Sequence, residues 1–538
     1  MLFETSHKLL ALGGISGISA HILIYRHGEW DLHAPAIFVS YASILLSAVI
    51  LEHAAAWTGA PYSIPLVNTV LWHIAGIYIS MLIYRGFFHR LSEFPGPFFA
   101  RLSNFYVTAL SAKKLQLYNE VQKLHRQYGD YIRIGPTEIS IVDPMAVTVL
   151  HGVGTKVHKG PWYTVLEPRI SLQMDRNKKS HSQNRKIWDQ GFSSQALRCY
   201  EPRVKKYTSQ LMDAIDKRIG TPINMATWFN YLSFDVMGDM AFGKSFDMLS
   251  TGQEAYLLKQ VHTDMKTIGL FSHLTWLFPF FKRTPGINAD YLKQWNWIDS
   301  QVQERSKNRP ELPDVFSWIL DAYEKTEKTK QNYLNLQGEA YLIVVAGSDT
   351  TGFALSNVLF YLVRDQSRYK ALQEELKDFQ SELSYDKLAT FSLLNAVINE
   401  TLRLHPAVPS GVQRTTPPEG IMIGEKCIPG NTMVSIPMHS LFRDARLFPR
   451  PDEFIPERWT TQPELVKDPS IFVPFSTGAY SCVGKQLALM ELRRVTAEIV
   501  TRYNVTFAPN QTEDLYLNGE QDTFTAVAAP LEVIMTKR

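Results

Sequence analysis

The apolar positions of this chain fall into two regimes. Residues 9–25, 36–51 (continuing through 54–57) and 64–84 are nearly unbroken apolar stretches, whereas beyond residue 113 the apolar positions recur at helical spacing. A helix that crosses a bilayer needs roughly 20 mainly apolar residues. Residues 64–84 meet that length and keep Trp72, Tyr78 and Tyr84 as interfacial aromatics. The second stretch is interrupted by Glu52 and His53, and the first is short and carries Gly13, Gly14 and Gly17, which lower helix propensity. The amino-terminal region is therefore expected to hold one to three transmembrane helices. The competing reading, core helices of a soluble domain, fits poorly with three such stretches in succession joined by short linkers. Arg85, Arg90 and Arg101 follow the last stretch, while the link 59–63 has no basic residue, so the downstream region is expected on the cytosolic side.

Phe94-Pro95-Gly96-Pro97 permits neither helix nor central strand to continue. The organisation expected is a membrane region over 1–90, a proline-rich hinge over 91–112 and a catalytic domain over 113–538. Within that domain, alternation across 131–143 about Gly135-Pro136 predicts a β-hairpin, and residues 324–331 read as a solvated loop. The fold class is mainly α with small β-sheets, preceded by the membrane helices, and no internal repeat is present.

Composition narrows the function. Of 538 residues, 45% are hydrophobic and 20% charged, which excludes wholesale disorder, and a formal net charge of +3 is too even for nucleic-acid binding across the surface. Three cysteines, Cys199, Cys427 and Cys482, give no disulfide framework. Cys199 in a helical stretch and Cys427 in a turn read as inert, and the histidines, His89, His125 and His405 among them, form no zinc-type cluster. No G-x-G-x-x-G follows a strand and no phosphate-binding G-x-x-x-x-G-K-[ST] occurs, since Gly152-Val153-Gly154 lacks the third glycine and the helix. An internal nicotinamide or ATP site is not supported.

The segment 475–484, Phe-Ser-Thr-Gly-Ala-Tyr-Ser-Cys-Val-Gly, places Cys482 between two glycines ahead of an apolar-periodic run. Such a turn lets a flat cofactor approach the backbone, and a thiolate there would be favoured by the following helix amino terminus. This segment resembles the haem-binding signature of the cytochrome P450 family, with Phe475, Gly478, Cys482 and Gly484 matching. Tyr480 departs from it, standing where the family usually has Arg or His for a haem propionate.

Further motifs follow in the family's order. Ala346-Gly347-Ser348-Asp349-Thr350-Thr351 lies in an apolar run, 341–362, long enough for a central helix. The resemblance places Asp349 and Thr350 in the groove over the iron, flanked by Ala346 and Gly347. Glu400 and Arg403, three apart on one helical face, would ordinarily be a surface ion pair. With Arg458 they resemble the family's buried structural triad behind the haem. Residues 181–188 with Phe192 resemble the propionate-binding segment, so that Arg185 and His181 are propionate candidates, with Arg414 a third.

What the resemblance implies is a P450 fold carrying haem b (iron protoporphyrin IX) with Cys482 as axial thiolate. The expected activity is insertion of one atom of dioxygen into a lipophilic small molecule by hydroxylation or epoxidation, with Asp349 and Thr350 as the catalytic pair. Residues 159–163 and 484–491 resemble microsomal fungal members acting on secondary metabolites such as terpenoids, polyketides or alkaloids. Electrons would come from an NADPH-dependent cytochrome reductase docking near Lys485, Arg493 and Arg494, with the protein in the endoplasmic reticulum membrane. Substrate would face residues 162–171, 271–281, 341–345, 407–412 and 523–527, the second of which could instead dip into membrane lipid. The alternatives are a haem-thiolate isomerase or dehydratase working without a reductase, and a non-catalytic haem-binding membrane protein.

Overall fold

The computed structural model describes residues 2–58, 65–378 and 384–538. The link 59–63 used in the orientation argument lies outside the described residues. Helices α1 (Leu2–Ala20), α2 (Ala34–Trp57) and α3 (Leu66–Ile83) form an amino-terminal bundle. Those that build the remainder of the site are α4 (Lys178–Gly191), α5 (Met225–Phe242), α6 (Tyr256–Phe271), α7 (Lys330–Arg364), α8 (Ser392–Leu404) and α9 (Lys485–Arg502).

The glycines that weaken α1 as an isolated helix are what let it pack. A Cβ on Gly13 would lie 2.5 Å from the Thr69 carbonyl oxygen, one on Gly17 would run into the carbonyl of His73, and one on Gly76 into that of Gly14. Small residues that bring helix backbones together are the usual device of membrane helix pairs. The His73 ring completes the bundle, bonded to Ser16 Oγ of α1 at 2.7 Å and Tyr41 Oη of α2 at 3.1 Å. Glu52 does not break α2; its carboxylate accepts the Val67 N–H at 2.9 Å in the first turn of α3.

Length and composition alone would also class α7 as a membrane span. Burial separates it: 72% of its apolar window is buried inside the protein, against 17%, 6% and 11% for the three amino-terminal helices that are long and apolar enough to cross a membrane. A helix apolar on all faces is a core helix when protein surrounds it. Thr329 caps α7 by accepting the Asn332 N–H, and α5, which ends at left-handed Gly243, packs along it. These two helices, α9 and the helix Ser194–Asp216 form the main hydrophobic core.

Residues 91–112, expected to be a hinge, are packed instead. Leu91 and Phe94 are fully buried, Pro95 accepts the Arg133 N–H at 2.7 Å, and helices Phe98–Leu102 and Phe105–Ala112 follow. The prolines turn the chain, while the apolar side chains beside them fix it to the core.

The hairpin expected at 131–143 is present as antiparallel β1 (Tyr131–Gly135) and β2 (Glu138–Ile141). A five-stranded sheet is completed by β3 (His158–Lys159), β5 (Arg414–Thr415) and β6 (Met433–Ser435), in the order β1-β2-β6-β5-β3, with β4 (Pro222–Asn224) in a separate sheet. Pairing of β3 with β5 sets Lys159 opposite Arg414. The loop between α1 and α2 rests on the same side of the protein. Both oxygens of Glu29 take Arg176 at 2.8 Å, Asp31 accepts Thr275 Oγ1 at 2.8 Å, and Phe38 of α2 meets Phe280 edge-on at 5.8 Å.

Candidate active site

A cavity of about 370 Å³ lies between α7 and the segment preceding α9. Cys482 opens onto it. The segment reaches the cavity through one sharp turn: Gly478 has φ +65°, and a Cβ there would collide with the carbonyl of His151. Gly484 is different, since a Cβ on it meets only Cys482 Sγ and Phe192, both at 3.9 Å. Protein packing therefore requires glycine at 478 but not at 484. The Cys482 N–H donates to Phe475 O at 2.8 Å, and Arg185 of α4 donates to the carbonyl of Ser481.

Burial pushes the Cys482 thiol up from its ordinary value. The N–H groups of Gly484 and Lys485 and the charges of Arg185 and Lys485 oppose that shift without overcoming it. The helix terminus, expected to favour the thiolate, therefore loses to desolvation within the protein alone. A coordinated cation would reverse that balance.

Basic groups cluster at one edge of the cavity. The Tyr480 ring lies beneath Lys159 Nζ at 5.1 Å and Arg414 Cζ at 4.9 Å, with the His181 ring edge-on at 4.8 Å. The charge missing at position 480 is thus present directly beside it. Burial, then Arg414, lowers the Lys159 ammonium to about 7, and burial with Lys159, Arg185 and Arg414 holds His181 near 3, neutral at physiological pH. Arg414 gives one nitrogen to Tyr163 Oη at 2.9 Å, while its buried Nε has no partner. Among the described residues neither Lys159 nor Arg414 has a carboxylate within ion-pair distance. Arg185 has one, Asp189, at 2.7 Å. Sequence reading missed Lys159 as a site residue and had Tyr163 only within the substrate-facing segment 162–171; the signal for Lys159 was a lysine set before an apolar Gly-Pro-Trp-Tyr run.

On the opposite wall Ala346, Gly347 and Thr350 of α7 line the cavity, and Thr350 Oγ1 donates to Ala346 O at 2.9 Å. Asp349 does not line it. One residue along a helix is a third of a turn away, and its carboxylate faces α6, where Oδ1 lies 3.2 Å from His262 Nε2. Apolar walls come from Trp162, Leu166, Tyr341, Val408 and Phe524, matching four of the five substrate-facing segments. Residues 271–281 do not line the cavity. Their neighbours Met265 and Ile268 do, while Phe278 packs behind Trp162 and Phe280 faces α2.

Glu400, Arg403 and Arg458 are completely buried behind the cavity. Glu400 takes Arg403 at 2.9 Å and 3.0 Å, Arg458 at 2.9 Å and Trp459 Nε1 at 2.9 Å. The basic patch expected around Lys485 is not displayed. Arg494 is buried between Glu201 and Glu498, each at 3.6 Å, and Arg493 is held by Asn395 and Tyr385, so of the three only Lys485 is exposed, its ammonium over the Phe475 ring at 5.8 Å.

With this geometry established, comparison with known proteins defines the class. The family model for Cytochrome P450 matches residues 95–535, and the chain belongs to that family. Cytochrome P450 monooxygenase FCK2 of Fusarium pseudograminearum is 48% identical over 97% of both chains. Cytochrome P450 monooxygenase orf5 of Eupenicillium brefeldianum is 49% identical over 88% of this chain and 96% of its own. Tryprostatin B 6-hydroxylase of Aspergillus fumigatus is 33% identical over 98% of this chain and 96% of its own. The crystal structure of the cytochrome P450DA heme domain superposes with a TM-score of 0.67 at 19% identity, covering 81% of this chain and 95% of that one. The protein is an oxygen-incorporating oxidoreductase of the P450 class, and that class implies a haem-thiolate cofactor. The residues present fit such a group: a thiol open to the cavity, space beside Gly484, and a cation cluster with an orphaned Arg414 Nε to receive carboxylates.

Proposed function

We propose that the protein is a membrane-bound monooxygenase that holds haem b through Cys482 and oxidises a lipophilic secondary metabolite by hydroxylation or epoxidation. The observation that carries this reading is one cavity that combines the Cys482 thiol, Thr350 opposite it and mainly apolar walls. When bound, a haem with a thiolate ligand supplies the electron-rich iron that favours cleavage of dioxygen.

The chain's own residues do the rest. Cys482 gives the thiolate, Phe475 holds its loop, and Gly478 makes the turn that presents it. Lys159, Arg414, Arg185 and the neutral N–H of His181 would receive the propionates, with Tyr480 as the surface over which Lys159 and Arg414, the two cations without a carboxylate, lie. Arg is suited to carboxylate geometry, and Lys159 adds a point charge. Thr350 holds a hydroxyl at the cavity wall, and Asp349 supplies its carboxyl group for proton transfer. The apolar wall excludes water and orients the substrate.

The substrate class rests on those walls and on relatives named for secondary-metabolite chemistry, such as tryprostatin B hydroxylation. The electron donor is an NADPH-dependent cytochrome reductase, docking over Lys485. The membrane region ends near residue 90 and places the catalytic domain on the cytosolic face of the endoplasmic reticulum. Its α1–α2 loop, bonded to Arg176 and Thr275, lies on the catalytic side. The test is turnover with reductase, NADPH and a panel of lipophilic metabolites under ¹⁸O₂. One labelled oxygen per product is expected, and products labelled only from water would overturn the monooxygenase assignment.

A further inference from the structure

A line of polar groups leads from Asp349 away from the cavity to the surface. Its carboxylate, 3% exposed, meets His262 Nε2 of α6 at 3.2 Å, and the His262 side chain is 24% exposed. The other ring nitrogen, Nδ1, lies 4.0 Å from Glu254 Oε1, on a side chain 41% exposed. Exposure thus rises at each step outward. Phe234 of α5 closes the ring edge-on at 6.2 Å, and the two carboxylates face its nitrogens, with the Lys266 charge on the same helix opposing them. At the inner end Asp349 Oδ2 is buried without a partner. A purely structural ion pair gains nothing from a carboxylate oxygen left unsatisfied, which carries a desolvation cost. An oxygen left free is what a group must have to hand a proton onward.

We propose that His262, with Glu254 at the surface, is the solvent-side arm of the proton supply to Asp349. The inference rests on the reading of Asp349 as the acid beside Thr350. In the transfer, the His262 Nε2–H bond breaks and its proton forms a bond to Asp349 Oδ1. Nδ1 takes a proton from a water held between it and Glu254, whose carboxylate at 4.0 Å is beyond direct hydrogen-bond reach, and bulk water resupplies that proton. One proton enters from solvent, one arrives on Asp349, and nothing is oxidised or reduced. An imidazole is suited to this because it accepts at one nitrogen while donating at the other. Burial works against the charged ring, but the hydrogen bond and charge of Asp349, aided by Glu254 and opposed by Lys266, raise His262 above its ordinary value.

Two measurements on the haem-loaded protein test this. In the diamagnetic reduced carbon monoxide form, the His262 ring titrates by NMR above an ordinary histidine, and both Asp349→Asn and Glu254→Gln lower its midpoint. With reductase and NADPH in phosphatidylcholine vesicles and no substrate, peroxide released per O₂ consumed and the solvent deuterium effect are compared. His262→Gln should raise the ratio of peroxide to water formed by about tenfold and enlarge the deuterium effect, with Glu254→Gln changing both less. If Asp349→Asn changes both readouts while His262→Gln and Glu254→Gln leave them at the wild-type level, the histidine arm is overturned and the Asp349 reading stands. If all three match wild type, the Asp349 reading falls as well. Should His262→Gln fail to bind haem, the exposed Glu254→Gln and the wild-type titration decide; an ordinary His262 midpoint that ignores Glu254→Gln overturns the proposal.

Discussion

Two charged clusters flank the cavity, and they are built on opposite terms. Around Glu400, the arginines and Trp459 saturate both carboxylate oxygens, and Arg403 and Arg458 spend their remaining donors on carbonyls such as those of Phe442 and Leu465. Around Tyr480, Lys159 and Arg414 are also buried and also reach carbonyls, Lys159 those of Leu172 and Gln173 and Arg414 that of Gln413, yet no carboxylate of the described residues answers their charge. A closed network stabilises the chain that contains it. An open one costs stability until an anion arrives, and so marks a ligand site rather than a structural one.

Removing one member from each cluster separates the two. Glu400→Ala leaves two buried guanidinium groups uncompensated, and a loss of about 3–5 kcal/mol is expected in chemical denaturation, with or without cofactor. A loss below about 1 kcal/mol would place Glu400 among ordinary surface pairs. Lys159→Met removes a poorly solvated ammonium together with its bonds to the Leu172 and Gln173 carbonyls, so the cofactor-free protein should change less in stability than the haem-bound one. Transfer of haem to apomyoglobin should then quicken by about tenfold or more, as expected for one lost charged hydrogen bond. Equal destabilisation of both forms would make Lys159 structural.

The smallest effect expected is on acid stability. Burial holds His125 near 4 and, with Arg414, His151 near 3. Both lie below the value of about 6.5 for an imidazole in the unfolded chain, so between those limits the unfolded state binds the extra protons. The contribution of these two histidines is therefore constant above about pH 6.5 and falls as the pH drops toward 4. Thermal midpoints from pH 8 to 5 should show the decline, and His125→Gln should flatten it. A midpoint independent of pH over that range would contradict the assignment.

Much of this was legible in the chain. The hairpin about Gly135-Pro136, the helix around Asp349 and the Cys482 turn follow from local spacing, which a sequence displays directly. What stayed hidden depends on contacts between distant segments. Nothing near Lys159 announces that β3 will pair with β5 and set it beside Arg414 and Tyr480, and nothing near His262 announces Asp349, 87 residues on. Burial misled in both directions. Arg494 reads as surface charge and is enclosed by acids, while the glycines of α1 read as helix weakness and serve as its packing surface. The proline segment reads as a hinge because prolines stop helices, but stopping a helix does not free the chain when Leu91 and Phe94 beside it are buried.

The central claim is that the Cys482 sulfur is the iron ligand. Purified protein, reduced and exposed to carbon monoxide, should give the strongly red-shifted Soret band of a thiolate-bound haem, and Cys482→Ala should abolish it while the fold, followed by far-ultraviolet circular dichroism, persists. The same red-shifted band in the Cys482→Ala protein, or its absence from a correctly folded, haem-loaded wild type, would contradict the account.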